Sequence, residues 1–198
     1  MSWLPNALTL LRIAAAPLVG WLIWRAPEQA SNMESGRLYL IAFGLFSVAC
    51  LTDWLDGYLA RALNATSEFG AKLDLWADKI IVAAVLFGMI GHSLIWAVAG
   101  LLCLSVRDLY IMRLRQRRPD VNLKASFLAK SKTAIVMAGI ATTMLGTALI
   151  EFSPANNAPI QYQMLASAGV LAFVVGCLLS LYTGWQYVAA ANQSAPAE

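Results

Sequence analysis

Long apolar stretches alternate with short polar segments along the chain. A helix needs about 20 mainly apolar residues to cross the hydrocarbon core of a bilayer. Six stretches have that length, at about residues 4–24, 38–60, 73–91, 94–112, 127–150 and 163–188. Because backbone polar groups cannot face lipid without hydrogen bonds, each stretch is expected to be helical. The pattern predicts an all-α integral membrane protein whose six transmembrane helices form one bundle.

Composition agrees with this pattern and excludes other classes of protein. Of the 198 residues, 60% are hydrophobic and only 13% are charged, whereas a soluble domain carries about 25% charged residues. So few charges could not cover the surface of a soluble domain, and the high hydrophobicity excludes intrinsic disorder. We expect a single transmembrane domain over residues 1–190, followed by a short polar tail over residues 191–198.

The basic residues predict the orientation of the protein in the membrane. With six spans, both termini lie on the same side as the second and fourth loops. Twelve of the fourteen Lys and Arg residues lie on that side or in the helix halves nearest to it, and only Arg25 and Arg37 lie on the other. Because Lys and Arg are enriched on the cytoplasmic side of membrane proteins, both termini are expected to be cytoplasmic. The sequence predicts a multi-pass protein of the inner (cytoplasmic) membrane.

Acidic residues inside the apolar stretches are the first indication of chemistry. Asp53, Asp56, Asp74, Asp78 and Asp108 lie in or at the ends of predicted spans. A charged group at the centre of a membrane helix costs roughly 2.5–3.5 kcal/mol. The first four of these aspartates lie within 26 residues. Packing does not explain such a cluster, whereas a functional site would explain it.

Helical spacing places these carboxylates on two stripes. A helix advances about 100° per residue, which puts Asp53 and Asp56 about 60° apart on one face. On the next helix, Gly70, Asp74 and Asp78 follow one another at intervals of four residues and share a stripe. Gly57, Ala60 and Arg61 lie on the same face as Asp53 and Asp56. Two helices joined by a short cytoplasmic loop can therefore direct four carboxylates towards each other.

Converging carboxylates repel one another in a low dielectric unless cations join them. Hard oxygen ligands without His or Cys select Mg²⁺, Mn²⁺ or Ca²⁺ rather than zinc. The three cysteines, Cys50, Cys103 and Cys177, lack metal-ligand spacing. Four carboxylates can hold two metal ions about 3.5–4 Å apart, an arrangement that stabilises the attacking and leaving oxygens of phosphoryl transfer. The sequence therefore predicts a site for divalent metal ions.

The motif on these two helices resembles that of the CDP-alcohol phosphotransferase family in residue identity and spacing. Its eight fixed positions are Asp53, Asp56, Gly57, Ala60, Arg61, Gly70, Asp74 and Asp78. Members of that family transfer a substituted phosphoryl group from a CDP-linked alcohol to a second alcohol and release CMP. The resemblance implies a six-helix membrane fold, usually homodimeric, with an active site open to the cytoplasmic leaflet.

The resemblance also implies a role for each motif residue. The four aspartates match the family's ligands for Mg²⁺ or Mn²⁺, which we expect as a pair of ions. Asp78 also matches the general base that deprotonates the acceptor hydroxyl. Positions around the cytidine diphosphate are matched by Asp56, Gly57, Ala60, Arg61 and Gly70. These roles agree with elementary chemistry, since metal ions neutralise a pyrophosphate while a carboxylate accepts a proton.

Three basic residues outside the motif predict an acceptor that carries a phosphate. Arg107 interrupts the fourth span near its cytoplasmic end, and Lys130 and Lys132 begin the fifth span. The planar guanidinium of Arg and the point charge of Lys both suit a phosphate dianion. Cations of this kind beside a metal site would form a pocket for a phosphorylated alcohol.

Two segments are similar to those of family members that use sn-glycerol 3-phosphate. Residues 5–12 are similar to their Pro-Asn-x-Leu-Thr-x-x-Arg, and residues 128–133 to their Gly-Lys-x-Lys-Thr. The likeness implies CDP-diacylglycerol as the donor, sn-glycerol 3-phosphate or a similar small alcohol as the acceptor, and phosphatidylglycerol phosphate as the product. Asn6, Thr9 and Arg12 are then expected to face the site from the first helix.

Other functions stay open at this point. Leu75 replaces a usual proline and Asp108 a usual glutamate, so the acceptor could instead be phosphatidylglycerol (giving cardiolipin), inositol phosphate, serine or choline. Intramembrane aspartates also occur in cation transporters, which place them near the bilayer midplane on broken helices. The arginines over residues 113–118 are expected to contact membrane lipids. No nucleic-acid partner is expected.

Overall fold

The computed structural model of the protein describes residues 3–62, 68–91, 95–117, 127–154 and 157–193. A short 3-10 helix, Ala26–Glu28, follows the first helix directly. The described part of the chain contains no β-strand, so the all-α fold class is confirmed. Its α-helices are α1 (Trp3–Arg25), α2 (Asn32–Ala62), α3 (Glu68–Ile90), α4 (Ile95–Arg117), α5 (Phe127–Glu151) and α6 (Ile160–Gln193).

Five of the helices are long and apolar enough to cross a membrane, which makes this a multi-pass membrane protein. Within the described residues α3, the helix that carries Asp78, is not one of the five. The five candidate spans are Thr9–Glu28, Asn32–Asp53, Ile95–Leu114, Ser131–Glu151 and Ile160–Ala191.

Several helices extend beyond the apolar stretches that predict them. Helix α2 begins at Asn32 rather than at residue 38, and α4 continues to Arg117 rather than to residue 112. The apolar pattern marks only the part of a helix that lies in hydrocarbon, whereas helical hydrogen bonding continues into the headgroup region. At the start of α2, the hydroxyl oxygen of Ser31 accepts a hydrogen bond from the backbone N–H of Glu34 at 3.2 Å. This N-cap fixes where the helix begins.

The helices pack in pairs. Helix α1 lies against α3 and α2, α2 also lies against α5, α5 against α6, and α4 against α3 and α6. The largest fully buried side chains include Phe46 of α2 and Phe173 of α6. Many large apolar side chains instead face outwards, such as Leu11, Leu51 and Trp185. A bilayer would cover these side chains, which explains why so few charged residues suffice.

Glycines bring α1 and α3 unusually close together. A Cβ atom added at Gly88 would lie 2.5 Å from the carbonyl oxygen of Gly20, and one added at Gly20 would lie 2.6 Å from that of Ala84. Small residues allow the two backbones to approach closely. This close packing stabilises the association of helices in a membrane. The crossing fixes the first helix against the helix that carries Asp78.

Candidate active site

A buried arginine joins three helices at the centre of the site. The Nη1 atom of Arg12 on α1 lies 2.5 Å from Oδ1 of Asp53 on α2. The same nitrogen lies 3.5 Å from Oδ1 of Asp78 on α3. The first and last aspartates of the motif are therefore brought together by a side chain that lies outside the motif.

The first helix presents Arg12 because of its helical period. The buried residues Thr9, Arg12, Ala16 and Val19 recur at intervals of three or four along α1, which places them on one face. Only 3% of Arg12 is exposed. Moving a charge out of water costs several kcal/mol unless an opposite charge compensates for it. The two aspartates supply that compensation, so the guanidinium and the carboxylates stabilise one another.

The aspartates are less enclosed than the arginine. The side chain of Asp53 is 24% exposed and that of Asp78 is 25% exposed, against 2% for Arg12. The arginine is therefore almost fully enclosed, while about a quarter of each aspartate side chain stays accessible.

Other predicted site residues lie on the same helices, but their side chains are outside the described part of the structure. Asp56, Gly57, Ala60 and Arg61 are residues of α2, and Gly70 and Asp74 are residues of α3. Asn6 belongs to α1 and Lys130 to α5, and their side chains are likewise outside it. Of the three site residues predicted on the first helix, Thr9 and Arg12 have described side chains, and both are buried.

Two of the four predicted metal ligands, Asp53 and Asp78, have described side chains. Among the described side chains, no group of three or more His, Cys, Asp or Glu residues could hold a metal ion. The two carboxylates that are described nevertheless converge, since both have an oxygen within 3.5 Å of one nitrogen. The other two predicted donors, Asp56 and Asp74, lie on α2 and α3 with side chains outside the described part of the structure.

A second charged cluster joins α3, α4 and α6. The carboxylate of Asp108 lies 2.7 Å from Nη1 of Arg107 through Oδ1 and 3.3 Å from Nζ of Lys79 through Oδ2. The guanidinium of Arg107 also donates to the backbone oxygen of Ser180 at 3.1 Å and to the hydroxyl of Thr183 at 3.2 Å. Arg107, which is predicted to bind the phosphate of the acceptor alcohol, is thus held against α6 by hydrogen bonds.

Sequence reasoning gave Lys79 no place in a site and gave Asp108 no partner. The available signal was electrostatic, because an aspartate inside a membrane span needs a cation. The sequence does not show that the carboxylate of Asp108 contacts both Arg107 and Lys79. Lys132, which is also predicted to bind the phosphate of the acceptor alcohol, lies near the start of α5 and is partly buried.

Comparison of the sequence with known proteins identifies its family. The sequence profile described as CDP-alcohol phosphatidyltransferase matches residues 2–181. The chain belongs to the CDP-alcohol phosphatidyltransferase family. The family expected from the motif is therefore confirmed, and the matched range contains Arg12, Asp53 and Asp78 as well as the Arg107–Asp108 pair.

Relatives within the CDP-alcohol phosphatidyltransferase family are similar over most of the chain. Proteins from Rickettsia bellii and Bacillus subtilis are 30% and 31% identical, and the alignments cover 96% and 93% of this chain and 96% and 92% of theirs. A protein from Cereibacter sphaeroides is 36% identical over 75% of this chain and 66% of its own. Each is named CDP-diacylglycerol--glycerol-3-phosphate 3-phosphatidyltransferase.

Proposed function

We propose that this protein transfers the phosphatidyl group of CDP-diacylglycerol to sn-glycerol 3-phosphate, forming phosphatidylglycerol phosphate and releasing CMP. The observation that carries the proposal is the convergence of Asp53 and Asp78 on Arg12, since these aspartates are the outermost acids of the family motif. The names of the relatives support the choice of donor and acceptor, because their alignments cover nearly the full length of both chains.

The aspartates of the motif have two tasks in this reaction. Asp53, Asp56, Asp74 and Asp78 would hold Mg²⁺ or Mn²⁺, expected as two ions, and these would neutralise the pyrophosphate and the departing CMP. Asp78 accepts the proton of the acceptor hydroxyl. The hydroxyl oxygen then bonds to the phosphorus of the phosphatidyl group, and the bond from that phosphorus to the oxygen of CMP breaks.

Arg12 supports both tasks from the first helix. Its cation lies 3.5 Å from Asp78 and 2.5 Å from Asp53, which reduces the repulsion between two acids that must stay charged. Because Arg12 is nearly buried, it also excludes water from that side of the carboxylates. Asn6 and Thr9, which precede it on α1, are proposed to complete this face of the site.

The substrates are proposed to occupy opposite sides of the aspartates. Asp56, Gly57, Ala60, Arg61 and Gly70 would surround the cytidine diphosphate, where small residues let the nucleotide approach the helix backbone. Arg107, Lys130 and Lys132 would bind the phosphate of the acceptor, as basic side chains do in many phosphate sites.

The proposed topology places this site at the cytoplasmic face of the inner membrane. All six helices, including α3, cross the bilayer, and both termini are cytoplasmic. Asp53 in the second half of α2 and Asp78 in the first half of α3 contact Arg12 in the first half of α1. Such contacts suit helices that run alternately up and down, and the excess of basic residues at this end supports a cytoplasmic orientation. The domain covers residues 1–190 and functions as a homodimer embedded among membrane lipids.

An acceptor panel tests the function. Purified protein with CDP-diacylglycerol and Mg²⁺ is given sn-glycerol 3-phosphate, inositol phosphate, serine, choline or phosphatidylglycerol in turn, and the release of CMP is measured. We expect turnover with glycerol 3-phosphate and phosphatidylglycerol phosphate as the lipid product. Turnover with another acceptor alone would contradict the proposed substrate, and failure to release CMP with every acceptor would contradict the proposed reaction.

A further inference from the structure

A single carboxylate holds two cations of neighbouring helices beside the proposed acceptor site. Asp108 of α4 contacts Arg107 at 2.7 Å and Lys79 of α3 at 3.3 Å through different oxygens. Lys79 follows Asp78 directly in sequence, and its ammonium group also lies 5.9 Å from the centre of the Trp76 ring, within the range of a cation–π interaction. The proposed reaction so far uses neither Asp108 nor Lys79.

The guanidinium of Arg107 is seated on α6 in a fixed orientation. Its Nε and Nη2 atoms donate to Ser180 and Thr183, and a Cβ atom at Gly184 would lie only 3.2 Å from Nε. The three hydrogen bonds described for Arg107 use three of the five N–H groups that a guanidinium carries. The remaining donors can bind a ligand while α6 and Asp108 keep the plane of the group in place.

Polar contacts are especially important for the position of α4 in the bundle. This helix packs against α3 and α6, and large apolar side chains such as Leu102, Val106 and Leu109 face outwards. Apolar contact with lipid is as favourable as apolar contact with protein, so membrane helices rely on packing and on polar links between them. The bonds of Asp108 and Arg107 therefore set where the cytoplasmic half of α4 lies relative to Asp78.

We propose that Asp108 is a positioning residue for the acceptor, which holds Arg107 and Lys79 side by side so that both cations bind the acceptor's phosphate. The inference rests on the proposed function, and it adds Lys79 to the acceptor site. Two positive charges share one negative charge, so the cluster keeps a net positive charge for a phosphate. The side chain of Lys79 is 31% exposed, and an ammonium has three donors, of which Asp108 occupies one.

Replacement of Asp108 by asparagine separates positioning from simple attraction. Asp108→Asn removes a negative charge, so long-range attraction alone predicts a lower KM for glycerol 3-phosphate. Positioning predicts the opposite, a KM for glycerol 3-phosphate raised on the order of tenfold, because charge-assisted bonds to both cations are lost. The KM for CDP-diacylglycerol should change less than about twofold, since that substrate is bound elsewhere.

Two further variants make the test independent of how well Asp108→Asn folds. Asp108→Glu restores the carboxylate and should bring the acceptor KM back to within about threefold of wild type. Lys79→Met leaves the contact between Asp108 and Arg107 intact and should also raise the acceptor KM. Glu28→Gln is the control, because it also removes a carboxylate that contacts an arginine, Arg25 at 2.7 Å, but in an exposed pair at the other end of α1, and it should leave both KM values unchanged.

The outcomes are distinguishable from failure of the proposed function. If wild-type protein uses glycerol 3-phosphate but Asp108→Asn and Lys79→Met leave its KM unchanged or lower it, the positioning role is overturned and the proposed function stands. A parallel rise in both KM values that Asp108→Glu does not reverse would also overturn it, since general damage to the fold explains such a rise. If wild type turns over only with an acceptor that lacks a phosphate, the proposed substrate and the inference both fail.

Discussion

Removal of Arg12 is the sharpest test of how the site is stabilised. The change Arg12→Ala removes a cation whose side chain is only 2% exposed. It leaves Asp53 and Asp78, which are each about one quarter exposed, without this partner. Breaking a buried ion pair by removing one member costs about 3–5 kcal/mol. We take about 3 kcal/mol here, at the lower end, because the aspartates keep partial access to solvent.

Thermal unfolding in detergent micelles measures the effect. For a chain of this size, about 3 kcal/mol corresponds to a fall in Tm of roughly 6–12 °C. The measurement is made in EDTA, so that divalent ions do not replace the lost charge. Arg25→Ala is the control, because that arginine also forms an ion pair from α1, with Glu28 at 2.7 Å, but the two side chains are 50% and 49% exposed. Exposed pairs contribute about 0–1 kcal/mol.

A second change on the same background tests the electrostatic explanation. When Asp53→Asn is added to Arg12→Ala, one of the two uncompensated acids becomes neutral, so part of the lost Tm should return. The two changes are thus expected to be non-additive, as for residues in contact. A double variant whose loss of Tm equals the sum of the single losses would refute the reasoning, and so would an Arg12→Ala protein as stable as Arg25→Ala.

Three further predictions concern catalysis, the metal and packing. Asp78→Asn should lower kcat about 10²–10⁴-fold in the CMP-release assay, and an unchanged kcat would exclude it as the general base. EDTA should abolish CMP release and Mg²⁺ or Mn²⁺ should restore it, whereas activity that persists in EDTA would contradict a metal site. Gly88→Ala should lower Tm by overpacking against Gly20, whereas Gly44→Ala, where a Cβ meets nothing within 4 Å, should leave Tm unchanged or raise it.

The sequence determined the class of protein, the family and most of the helices. These properties follow from local patterns, since a span is recognised from about 20 consecutive apolar residues and the motif from Asp53 to Asp78 occupies only two helices that follow one another in sequence. Helix ends were less accurate at α2 and α4, because Ser31 and the residues up to Arg117 lie beyond the apolar pattern. At α2 the cap by Ser31 determines the end, and a hydrophobic pattern does not detect a capping hydroxyl.

Only the tertiary structure decided which charges meet. Arg12 lies 41 residues from Asp53 in sequence, and they meet because α1 packs between its neighbours, held to α3 by the close crossing at Gly20 and Gly88. The sequence likewise does not show which cations meet Asp108, and the fold brings Lys79 and Arg107 to it. Hydrophobic length and helical period are properties of one helix, whereas the partner of a buried charge depends on which helices are neighbours and how closely their backbones approach.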